Sequence, residues 1–265
     1  EADTLTIYDG DTPDLDMWRS FVFSATGFDS ITALNGEIWI GSAVTSWPSL
    51  GSINLIKDWS ELRDDRNGSG TNRRFHDPIS AAYTDGTSFR TTKNNIVNHF
   101  VNDVAMTVLP NAPIDSTTGL PIPTIAVATD GGVSVIKDDG TVVDSSITSI
   151  VSTIAFLGSD LLYSSSYYAT NRFTRVSTIY NADGFVSSRE YGEDTTVTAD
   201  LNIRTNGVFG LTKIPNGFAA IGSPSVSEGL SIVNENVTTP ADGMVGIITS
   251  TYNSGYMTGD IKGAW

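Results

Sequence analysis

Carboxylates are the side chains of this sequence best suited to chemistry, and they gather first near the N-terminus. Asp9, Asp11, Asp14 and Asp16 fall within the stretch Asp9-Gly10-Asp11-Thr12-Pro13-Asp14-Leu15-Asp16. A turn with oxygens at this density suits a hard cation such as Ca2+, which takes roughly six to eight oxygen ligands. The spacing is not that of an EF-hand loop, which needs Gly at its sixth position and Glu at its twelfth. The favoured reading is an acidic, solvated turn between strands that needs no cofactor, with Ca2+ binding as the alternative.

A second set of carboxylates bears on glycoside cleavage, which uses two acids facing each other across the scissile bond. Glu37, Asp103, Asp130 and Asp160 lie in or beside apolar hairpins, but no motif links them, and Asp130 and Asp160 sit where they can simply cap turns. His76-Asp77 places an imidazole beside a carboxylate. Adjacent strand residues point to opposite faces, however, and Asp77-Pro78 marks the start of a turn. His99 is the other histidine, and two without a third ligand make a poor metal site. The sequence has no G-x-S-x-G elbow and no G-x-x-x-x-G-K phosphate loop.

Aromatic side chains give a different chemistry. Trp47 in Thr45-Ser46-Trp47-Pro48, and Tyr167-Tyr168 after a Ser-rich run, fall where consecutive strands connect. Rings on such connections can stack on a sugar face. Packing between neighbouring sheets is the plainer use for them and the one favoured.

The elements that must position these residues are β-strands. Apolar periodicity of the helical kind is missing, and short runs rich in β-branched and aromatic residues alternate with turn signals. The stretch Asp58 to Arg66 has the most helix-like composition but no apolar stripe, and reads as a solvated turn or short helical excursion.

A unit recurs: an apolar run, a turn, then a run ending in small residues. It appears at Ser30–Ser42, Val101–Asp130, Ser152–Ser166, Val208–Ser223 and Gly243–Trp265. A third strand follows most of these, at Gly51–Asp58, Gly132–Asp144, Arg172–Tyr180 and Gly229–Val237. Asn35-Gly36 and Asp139-Gly140 are strong hairpin turns. Five such units in 265 residues, about 53 each, predict an all-β fold: a β-propeller of five blades forming one domain. Six blades is the alternative, with Ile79–Thr91 as the extra hairpin. Otherwise residues 60–100 are an insertion or irregular segment. A β-sandwich is the rival fold. Thr4–Asp9 and Met17–Phe23 read as outer strands, so the N- and C-terminal strand pairs are expected to complete one blade together and protect its edges.

Composition narrows the partners. The chain carries a net charge of −15, so its surface repels nucleic acid phosphates. It contains no cysteine, which excludes disulfides and thiolate chemistry. It has no apolar run of the roughly 18 residues that suggest a membrane-spanning helix, and no secretory leader pattern. A start at Glu1 and a finish at Trp265 in a strand-like run lead us to expect a segment of a longer protein.

The run VNDVAMTVLPNAPIDSTTGLPIPTIAVATDGGVSVIKDDGTVVD from Val101 to Asp144, and the closing TYNSGYMTGDIKGAW from Thr251, resemble segments of marine tailed-phage proteins. In those proteins a propeller-like region of this kind typically precedes a laminin-G or concanavalin-like lectin domain. The resemblance implies a virion or tail-fibre setting. It brings no catalytic motif, so no functional residue is carried over. The expected function is that of a non-enzymatic virion module, structural or adhesive, whose partners are other virion proteins or a host-surface glycan. The alternative is a propeller glycoside hydrolase acting on surface polysaccharide.

Overall fold

Asn35-Gly36 shows how the chain makes its hairpins. Two apolar runs flank it, and both turn residues adopt the left-handed conformation, with φ of 51° and 78°. That is the geometry of a type I′ turn, whose twist matches that of the strands it joins. The same economy recurs at Gly140 and Gly158, with φ of 80° and 64°. The computed structural model describes residues 4–8, 10–11, 13–14, 17–22, 27–43, 49–64, 72–76, 96–146, 148–167, 170–176, 183–184, 189–191, 210–214, 218–222, 230–234, 244–248 and 261–264. All the regular elements among them are strands.

The strands form antiparallel sheets in which each neighbours the next in the chain. β1 (Thr4–Tyr8) and β2 (Met17–Val22) pair with each other. The first full sheet runs β3 (Ser30–Leu34), β4 (Glu37–Ser42), β5 (Ser49–Asn54), β6 (Trp59–Asp64) and β7 (Asn72–His76). The second runs β8 (Val101–Thr107), β9 (Thr124–Thr129), β10 (Gly132–Ile136) and β11 (Val142–Asp144). The third runs β12 (Ile150–Leu157), β13 (Asp160–Tyr167), β14 (Thr170–Val176) and β15 (Arg189–Tyr191). The fourth runs β16 (Gly210–Ile214), β17 (Phe218–Gly222), β18 (Leu230–Asn234), β19 (Met244–Ile248) and β20 (Ile261–Ala264). The leading strands of these sheets meet in succession, β3 against β8, β8 against β12 and β12 against β16.

The core lies between sheets. β9 and β10 are buried along their whole length, so they read as near-continuous apolar runs rather than as alternating ones. One face of the second sheet presents small side chains, Ala126, Ala128, Val133 and Val135, to Phe156, Leu161 and Tyr163 of the third. The other face presents Ile125, Val127 and Ile136, with Val101 and Val104, to Trp39 and Leu50 of the first. The first sheet is covered on its far side by Leu5 and Ile7 of β1, which pack with Phe28 against Ile38, Ile40 and Ile53. Between the second and third sheets large side chains meet small ones, which lets stacked sheets pack closely.

Three expectations from sequence are corrected by this arrangement. Trp59–Asp64 within the helix-like stretch is a strand, β6, and Glu61 and Arg63 on it are buried. Glu61 and Arg63 fall on one face of β6 and pair in the interior, Arg63 Nε donating to Glu61 Oε1 at 2.5 Å. The Arg63 guanidinium carbon stands 6.0 Å from the Trp39 ring centroid. A buried charge needs such a partner, and here the period of two is written in charged residues. The second correction follows from the first: β6 and β7 extend the first sheet, so residues 59–64 and 72–76 are not an insertion, and Ile96 belongs to the core. The Ile79–Thr91 hairpin lies outside the described residues. Third, the two chain ends do not share a sheet among the described residues. β19 and β20 extend the fourth sheet outward from β18, where Val233 pairs with Val245, and β1 pairs with β2 alone.

The first two sheets pack tightly at Gly41. A Cβ there would lie 2.5 Å from Val101 Cγ1 and 3.1 Å from Val104 Cγ2. Overpacking of this kind costs about 1–3 kcal/mol. Gly41→Ala is therefore expected to lower the free energy of unfolding by that amount in urea denaturation. Gly119→Ala probes a different penalty, since its φ of 70° strains any side chain although nothing stands within 4 Å of a Cβ there.

Candidate functional site

Three of the leading strands, β3, β8 and β12, carry polar residues that meet between the sheets. In β8 these are Asn102-Asp103, and the register slips between Val101 and Asp103. In β12 the register slips at the matching place, between Val151 and Thr153. A bulge re-aims the side chains around it and sharpens the local twist. The two bulges turn Asp103 and Thr153 toward each other across the gap between the second and third sheets.

The result is a three-way joint. Asp103 Oδ1 accepts hydrogen bonds from Ser30 Oγ of β3 at 2.6 Å and from the Val104 amide at 2.9 Å. Asp103 Oδ2 accepts from Thr153 Oγ1 at 3.0 Å and from the Ile154 amide at 2.9 Å. One half-buried carboxylate thereby holds the leading strands of three sheets. Asn102 reinforces it from the bulge, its Nδ2 donating to Asp130 Oδ1 and to the Val151 carbonyl, both at 2.9 Å. A carboxylate offers about four acceptor sites. Those of Asp103 are taken by the chain itself.

The other carboxylates considered for glycoside cleavage are also engaged. Glu37 accepts from Asn54 Nδ2 at 2.9 Å and from Trp39 Nε1 at 3.2 Å. Asp130 accepts from Asn102. Asp160 opens β13, half-buried, opposite Leu157 across the turn. His76 ends β7, and Asp77 lies outside the described residues.

Of the acidic turn, Asp11 and Asp14 are exposed between β1 and β2, while Asp9 and Asp16 lie outside the described residues. Among the described residues no three His, Asp or Glu side chains gather as a metal site requires. Trp47 and Tyr168 also lie outside the described residues. Tyr167 is the last residue of β13 and pairs with Thr170 of β14. Ser42 of β4 pairs with Ser49 of β5 in the same way, so Trp47 and Tyr168 fall in equivalent connections, between the second and third strands of their sheets. Those two sheets are separated by one.

Sequence reading missed the arm between β8 and β9. Residues 108–123 fold into a small hairpin, closed by a bridge between Ile114 and Pro121 and by the Asp115 amide donating to the Leu120 carbonyl at 2.9 Å. It leans on the turns of the first sheet. Asn35 Nδ2 donates to the Pro121 carbonyl at 2.7 Å, and Lys57 Nζ pairs with Asp115. Lys57, together with the Thr117 and Thr118 amides, holds the Asp115 carboxyl below the usual carboxylate range. Pro110, Pro113 and Gly119 are turn formers within this stretch, but nothing local indicates the docking, which depends on Asn35 and Lys57 far back in the chain.

No protein-family model matches the chain, and no curated protein sequence matches it. Among solved structures, the WD40 domain of Neurospora crassa Pan2 is similar at 10% identity, over 92% of this chain and 86% of that one, with a TM-score of 0.33. A likeness at that score carries no argument, so the architecture rests on the sheets themselves. No helix among the described residues is long and apolar enough to cross a membrane.

The docking of the arm has a testable pH signature. A carboxyl whose folded value is depressed contributes stability above its unfolded value, near 3.9, and loses it as pH falls through the lowered folded value. The arm should therefore stay docked at pH 4.5 and loosen well below pH 4. Lys57→Ala should speed proteolytic cutting within residues 108–123 several-fold at neutral pH while leaving the midpoint of global unfolding almost unchanged, as expected of a partly exposed ion pair. Limited proteolysis followed by mass spectrometry reads both effects.

Proposed function

We propose that this chain is a β-propeller of five blades that acts as a non-enzymatic virion or tail-fibre module, structural or adhesive, in a tailed phage. The observation that carries the fold is the succession of leading strands, β3, β8, β12 and β16, each opening its own antiparallel sheet, with Asp103 tying three sheets together. A propeller brings its innermost strands together in that way and stacks its blades face to face. β1 and β2 supply the sheet that precedes the first, since Leu5 and Ile7 cover its free face. The ring then requires the fourth sheet to meet β1 and β2.

The functional part of the reading rests on the resemblance of residues 101–144 and 243–265 to tailed-phage proteins and on the state of the acids. Asp103 is saturated, and Glu37 and Asp130 accept from Asn54, Trp39 and Asn102. Acids bound up in this way suit a scaffold. Binding would then fall to residues in or beside the connections, Trp47, Tyr167 and Tyr168, whose ring type can stack on a host glycan or pack against another virion protein. A net charge of −15 favours neutral sugars, or partners with basic patches, over nucleic acid.

A glycan array combined with a reducing-sugar release assay tests the proposal. The expected result is binding without sugar release, weakened about tenfold or more by Trp47→Ala or Tyr168→Ala, since loss of an aromatic anchor removes on the order of 1.4 kcal/mol or more. Sugar release that disappears on substitution of Glu37, Asp130 or Asp160 would overturn it in favour of a hydrolase.

A further inference from the structure

The outer edge of the second sheet carries a contact that neither the joint nor the proposed function uses. Residues 183 and 184, from the connection between β14 and β15, reach across from the third sheet to Asp144 at the end of β11. The bonding is reciprocal: the Asp144 amide donates to Asp183 Oδ1 at 3.1 Å, and the Gly184 amide donates to the Asp144 carbonyl at 2.8 Å. Gly184 takes φ of 80°, a conformation that favours glycine. Behind Asp144, Ser134 Oγ of β10 donates to Asp144 Oδ1 at 2.5 Å and itself accepts from the Val97 amide at 2.8 Å. Four separate segments of chain therefore meet around one carboxyl group.

We propose that Asp144 and Asp183 form an acid-tightened latch that fastens the β14–β15 connection to the edge of the second sheet. The contact brings two carboxylates together, one of them half-buried. Among the described residues, Asp183 is the charged group set against Asp144. β10 presents neutral Ser134, and through it the 96–100 segment presents the Val97 amide. His99 on that segment has its ring against Phe100, with centroids 4.4 Å apart. Lys137, after β10, reaches toward Asp139 at 3.8 Å instead. Like-charge repulsion between the two carboxylates opposes the latch when both acids are ionised.

Burial first, and Asp183 with it, hold the Asp144 carboxyl above its ordinary value against the opposing hydrogen bond from Ser134. A group raised in the folded state stabilises fully below its unfolded value and loses that contribution as pH rises through its folded value. Proton uptake from solvent by Asp144 removes the repulsion while leaving both reciprocal bonds, Asp144 amide to Asp183 Oδ1 and Gly184 amide to the Asp144 carbonyl, intact. The latch is therefore tight in acid and looser at neutral pH. This is opposite in sign to the Lys57–Asp115 link, which acid releases.

Hydrogen–deuterium exchange tests this on the whole chain. After correction for the intrinsic rate, the peptide containing the Gly184 amide should be protected several-fold more at about pH 3.5, below the unfolded carboxyl value, than at about pH 7.5. Asp144→Asn should keep that protection at both pH values. Asp183→Asn, which retains the Oδ1 acceptor but not the charge, should raise protection at pH 7.5. Wild-type protection that does not change with pH overturns the latch. So does an Asp144→Asn variant with the wild-type pH dependence. If that variant does not fold, an Asp183→Asn protein no better protected than wild type at pH 7.5 is decisive in the same direction.

Discussion

A carboxylate half-buried between three β-sheets has to be surrounded by donors, and everything else in this molecule is arranged so that Asp103 is. Its oxygens take hydroxyls from Ser30 and Thr153 and amides from Val104 and Ile154. Hydrogen bonds to an ionised group contribute about 1.5–3 kcal/mol each and are directional, unlike the apolar contacts around them. Apolar packing alone would let one sheet slide over the next. The carboxylate fixes which residue of each leading strand stands level with which, and so fixes the register of the stack.

The constraint reaches outward from the joint. With β3, β8 and β12 held together at their starts, the sheets they lead must lie face to face, and the side chains between them must differ in size. Alanines and valines of the second sheet receive Phe156 and Tyr163 of the third. Gly41 of the first sheet receives Val101 of the second, while Trp39 fills the space beside it. Further from the joint the contacts become polar and specific. The 108–123 arm is pinned by Asn35 and Lys57, and residues 183–184 are bonded to Asp144. These peripheral ties respond to pH in opposite senses.

Much of the strand pattern was legible because local rules govern it. Asn35-Gly36 and Asp139-Gly140 are turns wherever they sit between apolar runs, and the hairpins at 30–42, 101–130, 152–166 and 208–223 follow. What escaped was non-local. Glu61 and Arg63 look solvated until Trp39 is seen beside them, because sequence patterns count charge as exposed. Asp103 looked like one of several acids available for catalysis, since its donors come from strands before and after it in the chain. The polar pair Asn102-Asp103 inside an apolar strand was the available signal, together with hydroxyl residues near the starts of β3 and β12. The placement of β19 and β20 was missed because pairing partners, unlike strands, leave little local trace.

The decisive measurement is a double-mutant cycle between Ser30→Ala and Thr153→Val, read by urea unfolding in the intact chain and again in an Asp103→Ala background. If one carboxylate joins the sheets, the two substitutions couple by about 0.5–3 kcal/mol, as expected for partners in one network, and the coupling disappears without Asp103. Additive effects in the intact chain, within about 0.5 kcal/mol, would mean that the sheets are held independently and that Asp103 is not their joint.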